Sequence, residues 1–172
     1  MTPSTPIPAP QPTIDVFIAY ACPDKPHALA LRAALRARGL RAFVDAADLL
    51  PGDEWDTAIP TALTAARLVA ILVTPAWKPD PRWYALEETA RAIALRRARP
   101  ALRVVPVTLG DVHGLDVPYG LMRLVGVEHT EWPATAARLA EALTGRAELG
   151  GPLVVAPPHA PPPPHTHPPP PR

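Results

Sequence analysis

The sequence predicts an α/β fold in which one open, mainly parallel sheet carries helices on both sides. Short apolar, β-branched runs alternate with segments of helical period about 12 to 16 residues long, the signature of repeated strand–helix–strand units. The runs are Ile14 to Tyr20, Leu40 to Val44, Leu68 to Val73 and Leu102 to Val107. The third holds six residues without a charge, as a central parallel strand covered on both faces requires. Crossovers between such strands are right-handed, and ligands of such sheets sit at the carboxyl ends of the strands.

Proline sets the boundaries. Of 27 prolines in 172 residues, five fall in residues 1 to 12 and eleven in residues 152 to 172. Residues 1 to 13 therefore read as an extended, disordered arm, and residues 146 to 172 as a low-complexity Pro/His tail unable to bury a core. Residues 14 to 145 are the folding unit, long enough for one sheet and a hydrophobic core.

Composition excludes several classes of function. Seventeen Lys and Arg against sixteen Asp and Glu leave no global field for nucleic acid or an anionic membrane. The basic run Arg91, Arg96, Arg97, Arg99 and Arg103 reads as a solvated helix end, because cations suit a helix C-terminus, with a specific anion site as the lesser alternative. One cysteine, Cys22, permits no intrachain disulfide and fits a reducing cytosol. No leader pattern opens the chain and no apolar run approaches the roughly 18 residues of a membrane span, so a cytoplasmic, soluble protein is expected. His27, His113 and His129 lack the i, i+4 spacing of a metal pair, and no metal site is expected. Gly-rich phosphate loops of either familiar spacing are absent.

In chain order, Ile14 to Tyr20 is the first strand. Asp24 is a candidate N-cap and Pro26 a first-turn residue for a helix with Ala28, Leu31 and Leu35 on its apolar stripe, ended by Gly39. Leu40 to Val44 is the second strand, followed by a turn-rich loop from Asp45 to Asp53 that contains Pro51-Gly52. A helix from Glu54 to Ala66 packs through Trp55, Ile59 and Leu63, with Pro60 a local cost. After Leu68 to Val73 comes a helix from Arg82 to Arg97. Pro106 pushes the fourth strand toward a strand end. Leu124 to Val127 is a short edge strand, and Pro133 to Leu143 a last helix capped by Thr130 and stopped by Gly145.

The stretch Trp83-Tyr84-Ala85-Leu86-Glu87-Glu88 opens the fourth-strand crossover helix. Helical spacing puts Trp83 and Glu87 on one face, a stripe continuing through Ala90 and Ala94, and rotates Glu88 about 100° toward water. Glu87 then interrupts an apolar face. Such a carboxylate is either amphipathic slack, since acids suit the first turn of a helix, or a lone catalytic acid beneath an aromatic ring.

Four motifs in order resemble the Toll/interleukin-1 receptor (TIR) domain, and its bacterial members in particular. They are the strand Asp15 to Tyr20, the strand end Phe43-Val44-Asp45, the loop Asp48-Leu49-Leu50-Pro51-Gly52 leading to Trp55 and Ile59, and Trp83 with Glu87. The resemblance implies a flavodoxin-like three-layer sandwich with a five-stranded sheet. It implies that Asp48, Leu49, Pro51 and Gly52 belong to the BB loop, through which family members self-associate or recruit another TIR domain. Glu87 becomes the acid that enzymatic members use to cleave NAD between ribose and nicotinamide, and Tyr20, Ala21, Asp45, Leu50 and Trp83 become candidate substrate contacts. Where some members carry Ser and Cys, this chain has Ala19 and Tyr84.

The chemistry accounts for a single acid. Ordinary glycoside hydrolysis uses two carboxyl groups, one of them to protonate a poor leaving group. Nicotinamide leaves NAD as a neutral pyridine, so no proton donor is needed. One carboxylate can then hold the ribose hydroxyls and stabilise oxocarbenium-like charge while a ring stacks on the substrate. The expected function is an NAD glycohydrolase, with NAD as substrate and no cofactor, active on assembly and triggered by an activating partner that the sequence does not name. The alternative is a non-catalytic scaffold that binds other TIR domains through the BB loop. A weaker alternative is another nucleotide-handling flavodoxin-like protein, such as a nucleoside deoxyribosyltransferase.

Overall fold

The computed structural model describes residues 14–48, 55–77, 84–115, 117 and 120–145. The expected arm and tail, the residues Leu49, Leu50, Pro51 and Gly52, and Trp83 lie outside them. Five strands run in chain order β1 (Ile14–Ala19), β2 (Ala42–Phe43), β3 (Ala66–Val73), β4 (Arg103–Thr108) and β5 (Val127–Glu128). Helices α1 (Lys25–Ala37), α2 (Asp45–Asp48), α3 (Trp55–Ala65), α4 (Tyr84–Ala98) and α5 (Trp132–Thr144) alternate with them. Every pairing is parallel and the order across the sheet is β2-β1-β3-β4-β5. This is the flavodoxin-like order, in an open three-layer α/β sandwich.

The period of two along each strand divides the interior into two cores. Val16, Ile18, Leu68, Ala70, Leu72, Val105 and Val107 face α1 and α5. Phe17, Ala19, Val69, Ile71, Val73 and Val104 face α3 and α4, with Ile59 and Leu63 from the predicted stripe of α3. The side chain of Trp55 lies outside the described residues. In β3 every residue but Arg67 is buried, as expected of the central strand.

Several boundaries differ from those read in the sequence. Strand β3 begins two residues early, at Ala66, pairing with Ile14 and leaving Arg67 exposed. Pro106 lies inside β4 opposite Ile71 rather than at its end. The β4–β5 ladder starts only at Val107, so beside Pro106 there is no strand on that flank to miss its N–H. The edge strand shrinks to Val127–Glu128 because Leu121–Arg123 form a 3-10 turn and the Leu124 N–H returns to the Leu121 carbonyl. At α5 the N-cap position is Glu131, without a side-chain cap bond, rather than Thr130, while Gly145 ends the helix at φ 72°.

Two local devices hold the frame. Asp15 accepts from the Arg41 backbone N–H (2.9 Å), from Arg41 Nε (3.0 Å) and Nη2 (3.2 Å), and from Arg67 Nη1 (3.2 Å), tying β1 to both neighbouring strands. Gly120 comes so close to α4 that a Cβ there would lie 2.9 Å from Ile93 Cγ2. Gly120→Ala is expected to destabilise the fold by about 1–3 kcal/mol through overpacking, read from denaturant unfolding.

The hydrogen bonds from Arg41, working against burial, hold the Asp15 carboxyl at about 2, below its ordinary 3.8. Its stabilisation is therefore complete above pH 3.8 and drains away as pH falls toward 2. Asp15→Asn is expected to cost about 1–2 kcal/mol at neutral pH, discounted because Arg41 is exposed, and the gap to the parent should close in acid. Unfolding curves across this range check both statements.

Candidate functional site

At the carboxyl ends of β1 and β2, two of the expected site residues meet. Tyr20 follows the last residue of β1, and Asp45 lies two residues beyond β2 and opens α2. The Tyr20 hydroxyl donates to Asp45 Oδ1 at 2.6 Å. Burial first, then that bond, pushes the phenol well above its ordinary value, so Tyr20 stays a neutral donor. The charge of Glu88, in the first turns of α4, adds a smaller push in the same direction.

Ala21, the third expected contact, is 2% exposed, and its carbonyl accepts the Asp24 N–H at 2.7 Å. It supports the rim from beneath and offers a ligand little surface. Asp48, assigned by resemblance to the self-association loop, turns its carboxylate inward. It accepts from the Val44 N–H (2.8 Å), from Arg32 Nε (3.1 Å) and Nη2, and from Arg36 Nη2 (3.0 Å). One helical turn at Asp45–Asp48 thus replaces the first part of the expected loop, and it is clamped to α1.

Glu87 lies in the first turn of α4, and its side chain is outside the described residues. The stripe it was expected to share is not the core face of the helix. Ala90 and Ala94 are exposed, whereas Thr89 and Ala92 are fully buried. Alanine fits either face of a helix, so apolar spacing misassigned the orientation. Glu88, expected in water, is half-buried.

The end of β3 is held by a buried bond absent from the sequence reading. The Thr74 hydroxyl, at the end of β3, donates to Asp24 Oδ2 at 2.8 Å and accepts the Ala76 N–H at 3.1 Å. Asp24 is 4% exposed and makes no side-chain cap bond, although it stands at the N-cap position of α1. Trp77, on the same connection, is buried with its indole Nε1 unpartnered, a packing anchor rather than a ring open to ligand.

The scattered histidines also converge in part. His129 stacks on Trp132 with ring centroids 3.9 Å apart, and His27 lies 5.8 Å from the same ring. The Thr135 hydroxyl donates to the Glu131 carbonyl (3.0 Å), so His129 Nδ1 is the donor in its 2.9 Å contact with Thr135 Oγ1. Burial, then the His27 charge, lowers the His129 pKa. Among the described residues no three His, Cys, Asp or Glu side chains gather to hold a metal ion. No described helix is long and apolar enough to cross a membrane.

A parallel sheet of order 2-1-3-4-5 with polar groups gathered at its carboxyl rim defines a flavodoxin-like α/β domain with a rim site. The TIR-domain family model matches residues 16–143, and the chain belongs to that family. Its fold is similar to that of a metazoan TIR-STING receptor from C. gigas, solved in complex with 2′,3′-cGAMP. The TM-score is 0.64 at 22% identity over 81% of this chain, which spans 42% of the receptor chain. It is also similar to the TIR domains of the activated Roq1 resistosome, which recognises the pathogen effector XopQ. There the TM-score is 0.51 at 21% identity, covering 81% of this chain and 86% of that one. No curated protein matches the chain by sequence.

Removing the Asp48 carboxylate would leave the Val44 N–H and Arg32 unpaired at the root of the following loop. Asp48→Ala is expected to destabilise the domain by about 1–3 kcal/mol, and Asp48→Asn by less because it keeps an acceptor. Thermal unfolding of the two variants checks the order.

Proposed function

We propose that this TIR domain is an NAD glycohydrolase in which Glu87 is the catalytic acid. The observation that carries the reading is the Tyr20–Asp45 hydrogen bond at the carboxyl rim of the sheet, where the family resemblance puts substrate contacts. That rim is where parallel α/β sheets bind nucleotides. The carboxylate holds the ribose hydroxyls and stabilises the positive charge that develops as the C1′–nitrogen bond breaks. Nicotinamide departs neutral, water adds to C1′, and its proton passes to solvent.

Tyr20 contributes a fixed hydrogen-bonding group, oriented by Asp45. Trp83 supplies the stacking ring and Leu50 a further substrate contact. The exposure of Ala90 and Ala94 supports a site that is open in the single chain and closed by assembly. Self-association runs through the BB loop, in a head-to-tail contact that builds open arrays. The protein acts in the cytoplasm, in immune or other signalling, with an activating partner to be found.

The same exposed stripe of α4 also favours a second reading, a scaffold that recruits other TIR domains without catalysis. Incubation with NAD, with and without a crowding agent, separates the two by nicotinamide release. Glu87→Gln is expected to lower the rate by about a hundredfold or more with unchanged unfolding, while Glu88→Gln stays within about tenfold of the parent. Release that survives Glu87→Gln would refute the assignment, and no release under either condition would favour the scaffold.

A further inference from the structure

At the opposite edge of the sheet, where the strands begin, three arginines line one cavity of about 440 Å³. They are Arg67 from β3, Arg99 just beyond α4, and Arg103 at the start of β4, with Pro100, Leu143 and Thr144 completing the walls. Two of them belong to the basic run that the sequence presents as a solvated helix end. Instead of diverging into water, they converge with Arg67, which is distant in sequence.

Among the described residues, the positive charge around the cavity exceeds the negative charge bonded to it. Asp15 is the carboxylate bonded to this group, and it is shared between Arg67 and Arg41. Glu141, in the last turn of α5, is exposed and does not line the cavity. Arg99 commits Nη1 to the Thr64 carbonyl at the end of α3. The Arg103 side chain has no hydrogen bond or ion pair among the described residues.

Carboxyl ends of helices attract cations, and α4 and α5 both end here. That attraction would explain the arginines if they bonded the terminal carbonyls of those helices. Arg99 reaches a different helix, and Arg103 Nη2 stands near Gly145, 3.8 Å from where a Cβ would be, without a bond. A guanidinium carries five N–H donors, so most of those in the cavity remain uncommitted. Three like charges on shared walls repel one another until an anion enters.

We propose that this cavity binds a small molecule through a diphosphate group. Planar guanidinium forks match phosphate oxygens two at a time. Three arginines suit the roughly two to three negative charges of a diphosphate better than a single carboxylate. The volume lies within the range of small-molecule sites, and Leu143 and Pro100 give an apolar wall for whatever the diphosphate carries. This site lies across the sheet from the carboxyl rim and does not depend on the NAD reading.

Calorimetric titration of the full chain with pyrophosphate, ADP and orthophosphate tests it. Pyrophosphate is expected to bind saturably at sub-millimolar concentration, with orthophosphate about tenfold weaker or more. Tighter binding of ADP than of pyrophosphate would identify a nucleotide as the source of the diphosphate, and equal binding the inorganic anion. Arg103→Glu, which breaks no contact of the fold, should weaken pyrophosphate at least tenfold, with Arg103→Lys intermediate and unfolding unchanged in both. Absence of saturable pyrophosphate binding, or binding equal in Arg103→Glu, would overturn the proposal. So would loss in Glu87→Gln with retention in Arg103→Glu, which would move the anion to the carboxyl rim.

Discussion

The central strand β3 has a neighbour on each side and helices on each face, and it admits no charge between Leu68 and Val73. Charged side chains are therefore left to gather near the ends of the strands. The ends differ in character. Asp24, Asp45, Asp48 and Glu88 collect where the strands finish, while Arg41, Arg67, Arg99 and Arg103 collect where they start. Neither end is of one sign alone, since Asp48 holds Arg32 and Arg36 at the first and Asp15 holds Arg41 and Arg67 at the second.

Much of the fold was legible because two signals agreed. The strand runs are β-branched and uncharged, and the helical stripes Ala28, Leu31, Leu35 and Ile59, Leu63 repeat at the right interval. Both cores contain those residues. Boundaries failed where a single backbone contact decided them, as at Leu124, or where a missing neighbour made a proline harmless, as at Pro106.

The site was legible in its outline and not in its wiring. Tyr20 and Asp45 could be placed at one rim because both follow strands in a parallel sheet, and the structure joins them through a hydrogen bond. The inward turn of Asp48 depends on Arg32 and Arg36 of α1, tertiary partners that no local pattern encodes. Glu88 and the orientation of α4 were misread because alanines carry almost no information about which face is buried. His27 is far in sequence from His129 and Trp132, and the packing of α1 against α5 brings it to the same ring.

The bond from Thr74 to Asp24 ties the approach to α4 to the beginning of α1 on the other face of the sheet. Because both partners are buried, neither can turn to water when the other withdraws, and separating them carries a desolvation cost. The two helix entrances consequently share a hinge pin. A load that tilts α1 is therefore felt at the end of β3 as well, through the buried Asp24 carboxylate.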